Sequence, residues 1–261
     1  MRDDDVDEFI ALTKSSRETA RQFLSNNNGE LSYALNAFYD NFENGFVEDI
    51  RIVSQQLVEL FEKYNDDDKS DAKMNTDGLV RFVEDLGFEL EDPATLCLAH
   101  DLNCKSLQDP ITKDQFVGGW HSAFCDTFED IKNTLVEQRG RLQRSPEYLE
   151  TIYNYTYGLI LEPDQKALQL QSAVEYWNLF FDSSTDVKLA VQPSATLLEL
   201  WQVFLSSQGY VKISRDVWQM FFKFIKKYST VEAIKSEYNE LDAWPLLIDE
   251  FYEDLEEQGL V

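Results

Sequence analysis

Along most of the chain, apolar residues recur at spacings of three and four with polar residues between them, the signature of helices that bury one face. Strand-like alternation between turn residues is scarce, and only 10 glycines and 6 prolines interrupt 261 residues. The pattern predicts an all-α protein with on the order of a dozen or more helices. Helix starts are marked repeatedly. Ser15 with Glu18, Thr112 with Gln115 and Ser229 with Glu232 have capping-box spacing, and Asp92-Pro93 and Ser145-Pro146 place a capping residue before a proline at the first helical position.

The periodicity also divides the chain. In the first 45 residues, Phe9, Ile10, Ala20, Phe23, Leu24, Leu31, Ala34, Leu35 and Phe38 fall into three short helical runs separated by LTKSS and NNNG. This predicts a small three-helix domain over 5–45. NFENGFVED then reads as a connector with Gly45 as a helix end, followed by a longer amphipathic helix from about Val47 to Tyr64. A larger domain is expected over 50–258, with helix pairs resembling EF-hands.

At the far end, NELDAWPLLIDEFYEDL places Trp244, Leu247 or Ile248, Phe251 and Leu255 on an inward stripe. Asp249, Glu250, Glu253, Asp254, Glu256 and Glu257 fill the remainder. Asp242 reads as the N-cap, with Pro245 in the first turn, where a missing N–H costs nothing. Upstream, in ISRDVWQMFFKF, Ser214 can cap a helix whose first turn holds Asp216.

Charge sharpens this picture. The chain carries 49 acids against 23 bases, a net charge of −26, which argues against nucleic acid or anionic lipid and favours a basic partner surface. Residues 231–261 hold ten acids and a single base, Lys235. Charge-free runs such as Thr151–Leu161 fall far short of the roughly 20 apolar residues that cross a bilayer. The start, MRDDDVDEF, suits neither a secretory nor a mitochondrial leader, and three cysteines suit a reducing compartment, so the expected location is cytoplasmic or nuclear.

Candidate chemistry is thin. YNDDDKSDAKMNTDGLVRFVEDLGF outlines a helix, an acidic loop and a helix, and supports an alternative reading as an EF-hand-like calcium or metal-sensing helical protein. A loop starting at Asp66 puts oxygens at Asp68 and Ser70, but Asp71 stands where the turn needs Gly and Asp77 where a bidentate Glu is expected. Cys97, His100 and Cys104, with His121 and Cys125 downstream, lack the spacing of zinc modules. No glycine-rich phosphate loop occurs, and no cysteine or serine has an evident base. No cofactor, metal or catalytic residue is expected; binding is the stronger reading.

ATLCLAHDL, EYWNLFF, ISRDVW and DAWPLLIDEFYE, in this order and spacing, resemble the cullin-neddylation promoting family, the defective-in-cullin-neddylation proteins with their PONY domain. LTKSS, ARQFLS and GELSYALNAFYDN resemble the ubiquitin-associated domain that fungal members carry ahead of it. The resemblance implies a scaffold-type ligase component without an active site of its own. It would hold a cullin's C-terminal region and the neddylation conjugating enzyme together, so that the modifier passes to a cullin lysine. By motif, the cullin-binding patch falls on Asp216, Ala243 and Asp249. An apolar pocket for the enzyme's acetylated N-terminal methionine falls on Leu79, Leu98, Ala99, Leu102, Ile111, Leu159, Tyr176 and Leu179. A ubiquitin contact would involve Leu12, Thr13, Phe38 and Tyr39, although Leu12-Thr13-Lys14 departs from the usual Met-Gly-Phe loop.

Overall fold

The computed structural model describes residues 3–13, 15, 17–43, 53–65, 73–182, 188–239 and 241–261. The chain separates into two compact units, one ending at Val53 and the other beginning at Ser54. Among the described residues there are fourteen α-helices and four strands of two residues each, an all-α architecture. None of these helices is long and apolar enough to cross a membrane.

The first unit consists of α1 (Asp3–Thr13), α2 (Arg17–Asn26) and α3 (Leu31–Glu43). The apolar residues of the three runs converge: Phe9, Ala20, Leu24, Ala34 and Phe38, joined by Val6, are buried, with Ile10, Phe23, Leu31 and Leu35 against them. The rings of Phe9, Phe23 and Phe38 meet pairwise at 5.4–6.2 Å. The Ser15 hydroxyl hydrogen-bonds with Thr13 Oγ1. Ser16, the Glu18 side chain and Gly45 lie outside the described residues.

The second unit begins with α4 (Gln55–Tyr64), β1 (Lys73–Met74), α5 (Thr76–Leu86) and α6 (Ala94–Asp101). Next come β2 (Ile111–Thr112), α7 (Lys113–Ser122), α8 (Phe128–Arg144) and α9 (Pro146–Leu159). The rest is β3 (Leu168–Gln169), α10 (Leu170–Phe181), α11 (Ala195–Ser207), β4 (Lys212–Ile213), α12 (Arg215–Lys227), α13 (Val231–Glu237) and α14 (Leu246–Glu257). The strands pair two by two and antiparallel, Met74 opposite Ile111 and Leu168 opposite Ile213. Each pair clips together two helix–strand–helix stretches whose helices then share a core. The acidic loop behind the calcium reading lies, at 66–72, outside the described residues; Asp77 sits in the first turn of α5.

Local sequence accounts for most helix ends. Thr112 with Gln115 forms a reciprocal capping box, Ser145 caps α9 ahead of Pro146, and Ser214 accepts from the Val217 amide to start α12. The Asp92 carboxylate accepts from the Ala94 amide at 2.9 Å, so it caps α6 across Pro93. Gly87, at φ 86°, lets the Phe88 amide reach back to the Val83 carbonyl and close α5.

Of the long helix predicted from Val47, the part before Val53 lies outside the described residues, and α4 begins at Gln55, where Ser54 is extended and its carbonyl takes the first helical bonds. Two expected starts are displaced. Thr230, not Ser229, caps α13: its hydroxyl accepts from Ala233, while the Ser229 carbonyl accepts from the Ser194 amide of another helix start. At α14 the N-cap is Pro245, whose carbonyl accepts from the Ile248 and Asp249 amides. Asp242 is drawn away by the Lys227 ammonium at 2.6 Å.

Two buried clusters fill this unit. One gathers around Phe61, Phe82, Phe116 and Trp120; the larger is built on aromatics of α9–α12 and α14. Tyr153 stacks on Trp218 at 4.4 Å and 11°, and Trp201 on Phe221 at 4.7 Å and 14°. Around Tyr153 the polar atoms of this core satisfy one another, while the buried Trp201 indole N–H finds no acceptor among the described residues. Tyr153 donates its hydroxyl to the Trp218 carbonyl, accepts from the Trp177 indole, and gives its own carbonyl to the Trp218 indole. Such a core holds α10, α12 and α14 in fixed relation, which matters for the surfaces they present.

Candidate functional site

Between α5, α6, the connector to β2, and α10 lies an apolar hollow of about 200 Å³. It is smaller than the roughly 300–1,000 Å³ of drug-sized sites, on the scale of one large side chain with a small cap. Leu79, Leu98, Ala99, Ile111, Tyr176 and Leu179 line it, six of the eight residues expected for a methionine pocket. Leu102 is instead buried against α7, where Gly119 lets it approach so closely that a Cβ there would lie 2.9 Å from Leu102 Cδ2. Leu159 is buried in the larger core, its carbonyl accepting from the Leu107 amide.

The hollow has a fixed floor. The Tyr155 hydroxyl lies 2.8 Å from the Ala99 carbonyl and 2.6 Å from that of Cys104, bracing the end of α6 where Asn103 turns at φ 53°. Burial holds that phenol above its ordinary range, so it stays a donor. Leu90 and Leu107, both exposed, stand in the lining without having been anticipated. Their signal is readable: each is a lone leucine among turn residues, in FELEDP and KSLQDP, with no helical stripe to join.

The acidic end is built differently. Leu247, Ile248, Phe251 and Leu255 are buried, and Phe251 meets Trp201 at 5.2 Å, Phe204 at 5.4 Å and Phe224 at 6.2 Å. This turns the acids of α14 outward. Half-buried Trp244 packs edge-on to Phe224 at 5.5 Å and leaves its neighbour Ala243 exposed. Asp249 lies in the first turn of α14, where a negative charge is also favoured by the helix dipole. Its Oδ1 accepts from the Tyr238 hydroxyl at 2.6 Å.

Asp216 is exposed in the first turn of α12. Lys227, whose ammonium holds Asp242 just before Ala243, ends the same helix, roughly 16 Å away at 1.5 Å per residue. The structure therefore joins Ala243 and Asp249 through one short segment and sets Asp216 at the opposite end of α12 from that anchor.

In the small unit, Leu12 and Tyr39 are 52% and 45% exposed and are tied together by the Tyr39 hydroxyl donating to the Leu12 carbonyl at 2.9 Å. Phe38 is 3% exposed and belongs to the core. Thr13 turns its hydroxyl to the Phe9 carbonyl at 2.8 Å.

The thiols are poor candidates for chemistry. Burial pushes Cys97 up to about 12 and also raises Cys104 and Cys125, the reverse of an activated nucleophile. Among the described residues no three His, Cys, Asp or Glu side chains gather as a metal site. The arrangement suits recognition: one mostly apolar hollow, with Thr95, Ser106 and Asp109 also in its lining, and one negatively charged face.

Comparison with known proteins places the chain in a class. Residues 130–254 match a family model described as cullin binding, and residues 3–44 match a UBA-like domain model. The "Defective in cullin neddylation protein 1" of Saccharomyces cerevisiae is 37% identical over 259 residues, covering 97% of this chain and 93% of that protein. Its namesake in Candida glabrata is 39% identical over 262 residues, covering 97% and 96%. In Yarrowia lipolytica the protein of that name is 27% identical over 259 residues, with 98% of each covered. The chain belongs to the defective-in-cullin-neddylation family.

Proposed function

We propose that the protein promotes cullin neddylation as a scaffold, binding a cullin and the conjugating enzyme that carries the neddylation modifier. The cullin's C-terminal region would present a basic surface to Asp216, Ala243 and Asp249. The conjugating enzyme would place its acetylated N-terminal methionine in the hollow lined by Leu79, Leu98, Ala99, Ile111, Tyr176 and Leu179. Acetylation matters because it removes an ammonium whose burial among leucines would be costly. With both partners held, the thioester and the acceptor lysine meet at high effective concentration, and the rate gain requires no nucleophile from the scaffold.

What carries the reading is the coexistence, on one compact unit, of a single-residue-sized apolar hollow and an outward-facing acidic helix that share no residue. Two partners of opposite chemistry can then bind at once. The test is a pair of binding measurements on the full chain. Ala243→Arg should abolish capture of a purified cullin C-terminal region and leave binding of an acetylated conjugating-enzyme peptide intact. The same peptide with a free amine should bind weakly to the unaltered protein. Retained cullin capture, or equal affinity for the two peptides, would overturn the corresponding half. The small unit adds an apolar contact at Leu12 and Tyr39 for ubiquitin, to be checked by chemical-shift mapping; shifts elsewhere on the unit, or none, would remove that element.

A further inference from the structure

The acids around α14 are held in two different ways. Asp242 is paired with the Lys227 ammonium at 2.6 Å, which cancels its charge locally. Asp249 and Glu250 pair with no cation among the described residues. Their carboxylates accept from phenols instead, Asp249 from Tyr238 at 2.6 Å and Glu250 from Tyr210 at 2.5 Å. Further along the helix, Tyr252 donates to Glu256 at 3.1 Å. A phenol directs a carboxylate much as an ammonium does, but it brings no positive charge, so the full negative charge remains for a partner.

Tyr238 is well placed to do this for Asp249. Its ring stacks on Tyr252 at 4.0 Å and 10°, and lies 5.9 Å from Tyr228 and 6.5 Å from Phe224. The hydroxyl is therefore anchored from the side of α12 as well as α14. Burial, and then the adjacent Asp249, hold the phenol well above its ordinary range, so it remains protonated throughout the neutral region. One carboxylate oxygen is thus occupied before any partner arrives, and the side chain has less rotamer freedom to lose on binding.

We propose that Tyr238 is a positioning residue for cullin docking: its hydroxyl fixes the Asp249 carboxylate, charge intact, in the direction from which a cationic cullin side chain is met. The inference rests on the reading that Asp249 faces the cullin. Asp242, already neutralised by Lys227, has no such part.

The test is a double-mutant cycle with the full-length protein and a purified cullin C-terminal region, read by calorimetric titration at several salt concentrations. Tyr238→Phe keeps the stacked ring and removes the donor. It should weaken binding roughly fivefold, the loss of one directed hydrogen bond to a charged group. The salt dependence should be unchanged, because no charge is removed. Asp249→Asn should weaken binding further and flatten the salt dependence, and the double variant should bind no more weakly than Asp249→Asn alone.

Thermal melting controls for folding. Should Tyr238→Phe lower the melting temperature, Asp249→Glu provides a second route. It retains the charge, carries the carboxylate one methylene past the hydroxyl, and should also weaken binding. Unaltered affinity for Tyr238→Phe, or losses that multiply in the double variant, would overturn the proposal. Normal binding by Asp249→Asn would instead remove the acidic-face reading beneath it, a distinct result.

Discussion

The acidic end and the apolar hollow occupy the same unit but stand in opposite relation to its stability. Ala243 and Asp216 are exposed and contribute little to the core, and half-buried Asp249 adds one surface hydrogen bond from Tyr238. Leu98 and Ile111 are 3% and 4% exposed, and they wall the hollow while also belonging to the buried core. A surface patch can therefore be erased by substitution without disturbing the protein, whereas a hollow carved from the core cannot. For the first, the informative change is in the protein. For the second, it is in the ligand.

The largest effect that would sharpen this contrast is Ala243→Arg, which puts a cation and a long side chain where the proposed cullin surface approaches. Cullin affinity should fall by roughly a hundredfold or more, and the melting temperature should move by no more than about 1–2 °C, as for surface changes generally. A large loss of stability would break the contrast. Next in size is the ligand change at the hollow. A conjugating-enzyme peptide with a free amine should bind at least about tenfold more weakly than its acetylated form, and the difference should survive high salt, which screens the acidic face but not the hollow.

Core substitutions should show the reverse pattern. Tyr153→Phe leaves the Trp177 indole without its acceptor, and should cost about 1–3 kcal/mol of stability in chemical denaturation. Both partner affinities of the folded protein should be unchanged. Altered cullin affinity would mean that core and surface are coupled more tightly than the exposure of Ala243 implies.

The smallest effect concerns pH. A thiol in an unfolded chain ionises near 8.5, while buried Cys97 is held up to about 12. Between these values the unfolded chain releases its proton first, so stability falls as pH rises through that window. Melting temperature should decline from about pH 8.5 upward. Cys97→Ala should make the slope shallower without abolishing it, since buried tyrosines such as Tyr148 and Tyr155 are raised too. An unchanged slope would show that Cys97 is not the group responsible.

Legibility in the sequence follows the same divide. Period-3.6 patterning revealed the helices, and Ser145-Pro146, Thr112 with Gln115, and Ser214 located helix starts because a cap is a local event. The inward stripe at Leu247, Ile248, Phe251 and Leu255 was equally readable. Asp242 misled because a cation 15 residues earlier in the chain, Lys227, outcompetes the helix start for it. That kind of contact leaves no spacing signature.

At the candidate sites, the acids stood out by composition, but their sorting into charge-cancelled Asp242 and phenol-held Asp249 needed three dimensions. The hollow was harder still. Leu98 reads as core and is core; only the meeting of α6 with α10 shows that Leu98 and Leu179 also border open space. Leu102, identical in pattern, packs instead on Gly119. Cα spacing cannot separate the two, because both lie on buried faces and differ only in what the next helix leaves uncovered.

The central claim, that rate comes from holding two partners through two independent surfaces, is tested most directly by reconstituted transfer of the modifier from its conjugating enzyme to a cullin. The protein should accelerate the transfer at least about tenfold, and Ala243→Arg or a free-amine conjugating enzyme should each remove that acceleration. An unchanged rate on adding the protein, or full acceleration by the Ala243→Arg variant, would contradict it.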